Sequence, residues 1–105
     1  MLAAVLGLSV LLDTKMNYQY SDLRGYNLDN VDLSGADFTG SLLQGASFKG
    51  SILKGVKFMD ANLSGVNFHN AVLTGAAFSG ANLQGVNLTG ANLTGANLKS
   101  INLSG

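Results

Sequence analysis

One kind of side chain returns at every fifth position. Counting from Met16, the third residue of each group of five is Leu or Phe in all groups but the first, where it is Tyr18. Eighteen such groups run without a gap over residues 16–105, from MNYQY and SDLRG to ANLKS and INLSG. The first place is usually Ala, Val or Ser, and the fifth is Gly in thirteen groups. In an α-helix a step of five residues turns about 500°, so successive Leu and Phe drift by about 140° and make no stripe. Each Gly at a helix-interior fifth place would add about 0.8–1 kcal/mol against helix. A helical fold is excluded.

Extended backbone accommodates the period. If three residues of each pentad are extended, their side chains alternate in, out, in. The first and third then point inward, small beside large, and the second faces water. The last two residues turn a corner, and Gly at the fifth place supplies the positive φ of a type II turn. Residues one full coil apart must stack, which fixes the number of sides. At an interval of 20, Tyr18, Phe38, Phe58, Phe78 and Leu98 share one wall, and Leu28, Phe48, Phe68 and Leu88 share the opposite one, with only Leu on the two between. An interval of 15 mixes Phe and Leu in every column. At 20, Asp29 also falls beneath Lys49 and Asp37 beneath Lys57; exposed pairs of this kind are worth about 0–1 kcal/mol each.

The tandem A-[DN]-[LF]-x-G pattern, clearest in ANLQG, VNLTG, ANLTG over residues 81–95, resembles the pentapeptide repeat family. The resemblance covers residues 16–105 and implies a right-handed quadrilateral β-helix. The expected fold is therefore all-β: a parallel β-helical solenoid of about four and a half coils, eighteen pentads at four per coil. At about 4.8 Å per coil the rod is near 22 Å long.

Residues 1–15, MLAAVLGLSVLLDTK, form a separate apolar segment. Its apolar run is shorter than the roughly twenty residues that span a bilayer as a helix, so a spanning helix is not expected. The run has the length of a signal-peptide core, but no Lys or Arg precedes it, and Lys15 lies on the wrong side. The favoured reading is a helix or strand capping the repeat stack. A secretory segment, membrane contact and a later start at Met16 stay open. The cytoplasm is the favoured compartment, with periplasm or thylakoid lumen as the alternative if residues 1–15 are a targeting segment.

In a one-dimensional stack each coil touches only its neighbours, and the ends need cover. Tyr18, Tyr20, Tyr26 and the apolar segment are expected to close the N-terminal end. The last pentad brings Ile101 and Leu103 with nothing after them to form a lid, and unpaired strand edges are normally protected. End-to-end association through Ile101 and Leu103, or continuation into another repeat chain, is expected.

Composition sets few further limits. A hydrophobic fraction of 47% argues for a buried core. Six basic against six acidic residues leave zero net charge, so no long-range field draws the chain to nucleic acid or an anionic membrane. The absence of Cys removes thiolate metal sites, disulfides and Cys nucleophiles.

No residue gathers catalytic or metal-binding company, and no cofactor is expected. His69 stands alone at a corner above Lys49 and reads as an exposed turn residue. Asp22, Asp29, Asp32 and Asp37 circle the first coil on different sides, suggesting no paired-carboxylate chemistry. The second-place Asn columns read as amide ladders bonding rung to rung. The sequons at Asn62, Asn87, Asn92 and Asn102 follow automatically from A-N-L-[ST]-G. Interruptions say more: Ile52 and Val72 replace the polar second-place residue in one column, a candidate partner-contact strip beside Lys54 and Thr74, and Leu42 does so on the opposite side. Lys49, Lys54 and Lys57 form a basic belt on different sides, a poor nucleic-acid footprint.

These observations favour a non-enzymatic scaffold or interaction module with an unidentified protein partner, in keeping with most of the family that the repeat resembles. A second reading comes from that resemblance: some members mimic DNA and act on type II topoisomerases through an acidic rod. Duplex DNA carries one charge per about 1.7 Å, so a mimic of this length needs on the order of a dozen negative charges, and this chain nets zero. A third reading, an exported or membrane-associated structural protein, rests on residues 2–12 alone.

Overall fold

The computed structural model describes residues 16–105, and its pentads share one local structure. The second residue of each pentad pairs in parallel with the second residue twenty positions on, from Asn17 with Asp37 to Asn82 with Asn102. Four pentads therefore make one coil. Each pairing is an isolated bridge because the chain turns every five residues, before a longer ladder can form. Pentads beginning at residues 16, 21, 26 and 31 start walls one to four, and each wall recurs every twenty residues.

The pentad 61–65 shows how coils are joined. Asn62 N–H donates to the Ser41 carbonyl of the preceding coil (2.9 Å), while Leu63 and Gly65 donate to Asn82 and Gln84 of the following one (2.8 and 2.9 Å). The corner closes with Val66 N–H on the Leu63 carbonyl (3.1 Å). Most of the backbone's polar groups are thus satisfied between rungs, as a buried main chain requires.

Every fifth place has positive φ, the geometry expected from Gly. Tyr20, Asn30, Asp60, Asn70 and Ser100 adopt it too, at 57–58°. Asn and Asp tolerate this region best among residues with a side chain, which suits three of the five. Their positions follow a rule. Along the corner after wall one the column runs Tyr20, Gly40, Asp60, Gly80, Ser100; after wall three it runs Asn30, Gly50, Asn70, Gly90. A Cβ added at Gly40, Gly50, Gly80 or Gly90 would strike the side chain of Tyr20, Asn30, Asp60 or Asn70, one coil earlier. A decorated corner therefore needs a bare one above it. The other two corner columns are Gly throughout.

The interior is filled by first- and third-place side chains. Phe38, Phe58 and Phe78 stack in one column at 5.2 and 5.3 Å between ring centroids, continued by Tyr18 at 5.1 Å, and Phe48 stacks on Phe68 at 5.4 Å. The two columns meet edge to face across the tube, Phe48 lying 5.8 Å from Phe38 and 5.7 Å from Phe58. Leu43, Leu53, Leu63 and Leu73 complete the other walls, fully buried. Two first places are buried Ser. Ser41 Oγ donates to the Phe38 carbonyl (2.7 Å), and the Ser51 hydroxyl is inserted between Val31 N–H and the Leu28 carbonyl.

The N-terminal edge differs from expectation. Tyr18 is buried as a plug, but Tyr20 occupies a corner and is 76% exposed, so it closes nothing. Its ring lies against Gly40 instead. The proposed cap over residues 1–15 lies outside the described residues.

Candidate functional site

The outer surface obeys a rule of its own. At all twelve second places occupied by Asn or Asp, Oδ1 accepts the N–H of the residue two positions on, at 2.9 to 3.3 Å. These are Asx turns. They correct the expectation of rung-to-rung amide ladders: each carboxamide oxygen is committed within its own pentad, and no amide-to-amide bond joins two coils among the described residues. The short side chain reaches its local N–H without losing the freedom that a ladder would cost.

Six pentads lack this acceptor, with Leu42, Ser47, Ile52, Lys57, Val72 and Ala77 at the second place. In one of them a substitute comes from the coil before. Asp29 Oδ1 takes the Lys49 N–H at 2.9 Å and the Ser47 hydroxyl. This corrects a second expectation, because Asp29 serves the Lys49 main chain and makes no ion pair with its ammonium. Asp37 likewise lies in register with Lys57 without pairing. The one ion pair among the described residues joins Arg24 to Asp22 at 2.6 Å, both about half exposed.

In the other five pentads the N–H groups of Gln44, Lys54, Met59, Thr74 and Ser79 have no partner among the described residues. Four of the five lie together. Lys54 and Thr74 are stacked on wall four, Met59 and Ser79 on the adjoining wall one, and the corner between them is the bare column Gly55, Gly75. The candidate strip Ile52 and Val72 belongs to this area as an adjacent, paired rung, Ile52 being 38% exposed and Val72 half-buried. Leu42 stands apart on wall two, 39% exposed. Ile52 and Val72 are visible in the sequence because they are apolar; Lys57 and Ala77 share with them only the missing side-chain oxygen two residues before the donor.

The remaining sequence candidates stay dispersed. His69 is half-buried on wall three, its N–H held by Asn67 Oδ1 at 2.9 Å. No group of three His, Cys, Asp or Glu that could hold a metal ion occurs among the described residues. At the far end Leu98 and Leu103 are 40% and 52% exposed, and Ile101 packs partly against the core.

The turn carboxylates are tuned by the same hydrogen bonds. The Ser34 N–H and hydroxyl hold the Asp32 carboxyl below its ordinary range. At Asp37 partial burial pushes upward, but donors from Thr39 and Gln19 outweigh it and the net direction is again down. A carboxyl lowered in the folded state stabilises the fold above its unfolded pKa of about 3.9 and loses that contribution as pH falls through its folded value. Thermal melts followed by circular dichroism should therefore hold steady down to about pH 4 and decline below it. The decline should be shallower in Asp32→Asn/Asp37→Asn, whose amides keep the turn without titrating; coincident acid profiles would overturn the assignment.

With this geometry in place, the likeness to known proteins is informative. The family of Pentapeptide repeats matches residues 14–45, 41–80 and 71–105 in 8 copies, and the chain belongs to that family. Among solved structures it is similar to a pentapeptide repeat protein from the Arabidopsis thaliana thylakoid lumen, with 42% identity and a TM-score of 0.81 over 84% of this chain. This chain spans 61% of that protein's length. QnrB1, a plasmid-mediated fluoroquinolone resistance protein, is 21% identical with a TM-score of 0.60, over 85% of this chain and 58% of its own; it shares the fold. These likenesses support a right-handed β-helix. No curated protein matches. Among the described residues no helix is long and apolar enough to cross a membrane.

Proposed function

We propose that this chain is a non-enzymatic scaffold that acts by binding another protein on its outer walls. One observation carries the reading: the tube is filled by side chains, the Phe columns touching across its centre, so recognition falls to the surface. That surface is regular except where the Asx rule lapses. The family relationship supports the same reading, since pentapeptide repeat proteins are generally structural scaffolds. Stacking of a further coil on Ile101 and Leu103, from a second copy or from additional repeats, belongs to the proposal. The exposure of Leu103 supports it.

The compartment turns on residues 1–15. An intact segment fits the cytoplasm; a removed one fits the periplasm or a lumen, and the similar protein from a thylakoid lumen supports the latter. DNA mimicry is the weaker reading, because the chain has no net negative charge and its likeness to the resistance protein is one of fold.

Amine-directed cross-linking in the native cell, read by mass spectrometry, tests the scaffold. A recurrent protein attached through Lys49, Lys54 or Lys57 is expected, with homotypic links through Lys99 if copies stack. A chain recovered uncoupled from any protein would sink the reading.

A further inference from the structure

We infer that the area where walls four and one meet, over residues 51–59 and 71–79, is a docking site for an extended acidic segment of a partner protein. The inference rests on the scaffold reading and names the surface and the chemistry of its occupant. Elsewhere on the rod, with Gln44 on wall two the one exception among the described residues, a carboxylate or carboxamide oxygen of the chain fills the outward N–H of the fourth place. Here four such donors, on Lys54, Met59, Thr74 and Ser79, lack that oxygen and form a two-by-two array. The position selects for an oxygen acceptor of the kind the chain uses itself.

Charge decides which acceptor. Residues 51–59 and 71–79 contain Lys54 and Lys57 and no acidic residue, and neither ammonium is in an ion pair among the described residues. The nearest carboxylates by register are Asp32 and Asp37, one coil earlier; Lys54 and Lys57 act on them across the rung as the weakest of the influences on either group and without contact, and their Oδ1 atoms are occupied by Ser34 and Thr39. Asp60 stands at the far corner of wall one, beneath Gly80. An incoming carboxylate thus meets backbone donors and ammonium groups together, the combination that makes the stronger charge-assisted hydrogen bonds. Ile52 and Val72 beside the wall-four donors and Ala77 between the two walls' donors offer apolar contact, and the bare Gly55 and Gly75 corner lets a main chain approach closely, with nothing near their Cβ positions. An extended peptide alternating acidic and apolar side chains matches these features.

The test is a titration of the 15N-labelled protein with a short acetylated peptide of alternating Asp and Leu, followed by amide chemical shifts. Shifts concentrated at Lys54, Met59, Thr74 and Ser79 are expected. The triple variant Ile52→Asn/Val72→Asn/Ala77→Asn places the repeat's own acceptor before three of the donors while keeping both lysines. It should fold unchanged and bind the peptide about tenfold more weakly or worse, the loss expected from one or two charge-assisted hydrogen bonds. Shifts confined to other walls, equal binding by the triple variant, equal binding of a twin peptide with Asn for each Asp, or binding of a single-stranded oligothymidine in place of the peptide would each overturn the inference. Cross-links to a partner in the native cell would still stand in those cases, so failure here is distinguishable from failure of the scaffold reading.

Discussion

Phe58→Ala should destabilise the protein by about 3–5 kcal/mol, the range for removing a fully buried ring. Phe58 is stacked on both sides, by Phe38 and Phe78, and its edges meet Phe48 and Phe68 across the tube. Collapse around the void is opposed from four directions, because each neighbouring ring is itself held in a column. Phe58→Leu keeps a plug of the kind that fills two other walls and should cost only about 1–2 kcal/mol. Leu88→Ala, at a half-buried position, should also cost less than Phe58→Ala. Guanidinium unfolding followed by circular dichroism measures all three. A loss at Phe58→Ala no larger than that at Leu88→Ala would show that the columns do not hold the rod together.

Gly80→Ala should be worse than Gly75→Ala although both glycines have positive φ, 73° and 69°. A side chain in the left-handed region costs about 1–2 kcal/mol at either place. At Gly75 the cost ends there, since nothing lies within 4 Å of the added carbon. At Gly80 the new methyl also meets the Asp60 carboxylate, which must swing aside, adding up to about 1 kcal/mol for an off-rotamer side chain. Asp60→Gly should remove that extra part, leaving Gly80→Ala as costly in its background as Gly75→Ala. A double-mutant cycle with no coupling between residues 60 and 80 would refute the corner rule.

The fold was legible because its determinants recur. The interval of 20 could be read from where Phe falls, and the structure stacks Tyr18, Phe38, Phe58 and Phe78 as that column required. The side chain of Tyr20 was harder to place. Aromatic residues near an end suggest a lid, but a fifth-place residue has its direction set by positive φ, and Tyr20 lies at a corner on Gly40. The Asn columns misled for a related reason: stacking in register makes a ladder look natural, yet the N–H two residues on is nearer than the next coil. Asp29 was paired with the wrong group of the right residue, since register fixes which residues are neighbours and leaves open which atoms meet. The candidate surface was half visible. Ile52 and Val72 stood out by hydropathy, whereas the donors they leave unfilled show only once it is known that the second-place oxygen caps the fourth-place amide.

The alternating corners also constrain how such a rod can lengthen. Duplicating the coil 51–70 would seat Asp60 and Asn70 directly under their own copies, side chain against side chain, whereas duplicating the all-glycine coil 71–90 meets no such conflict. Growth of this gene by tandem copying is therefore limited by which coil is copied, and a spliced rod that repeats a decorated coil must also change residues at two opposite edges.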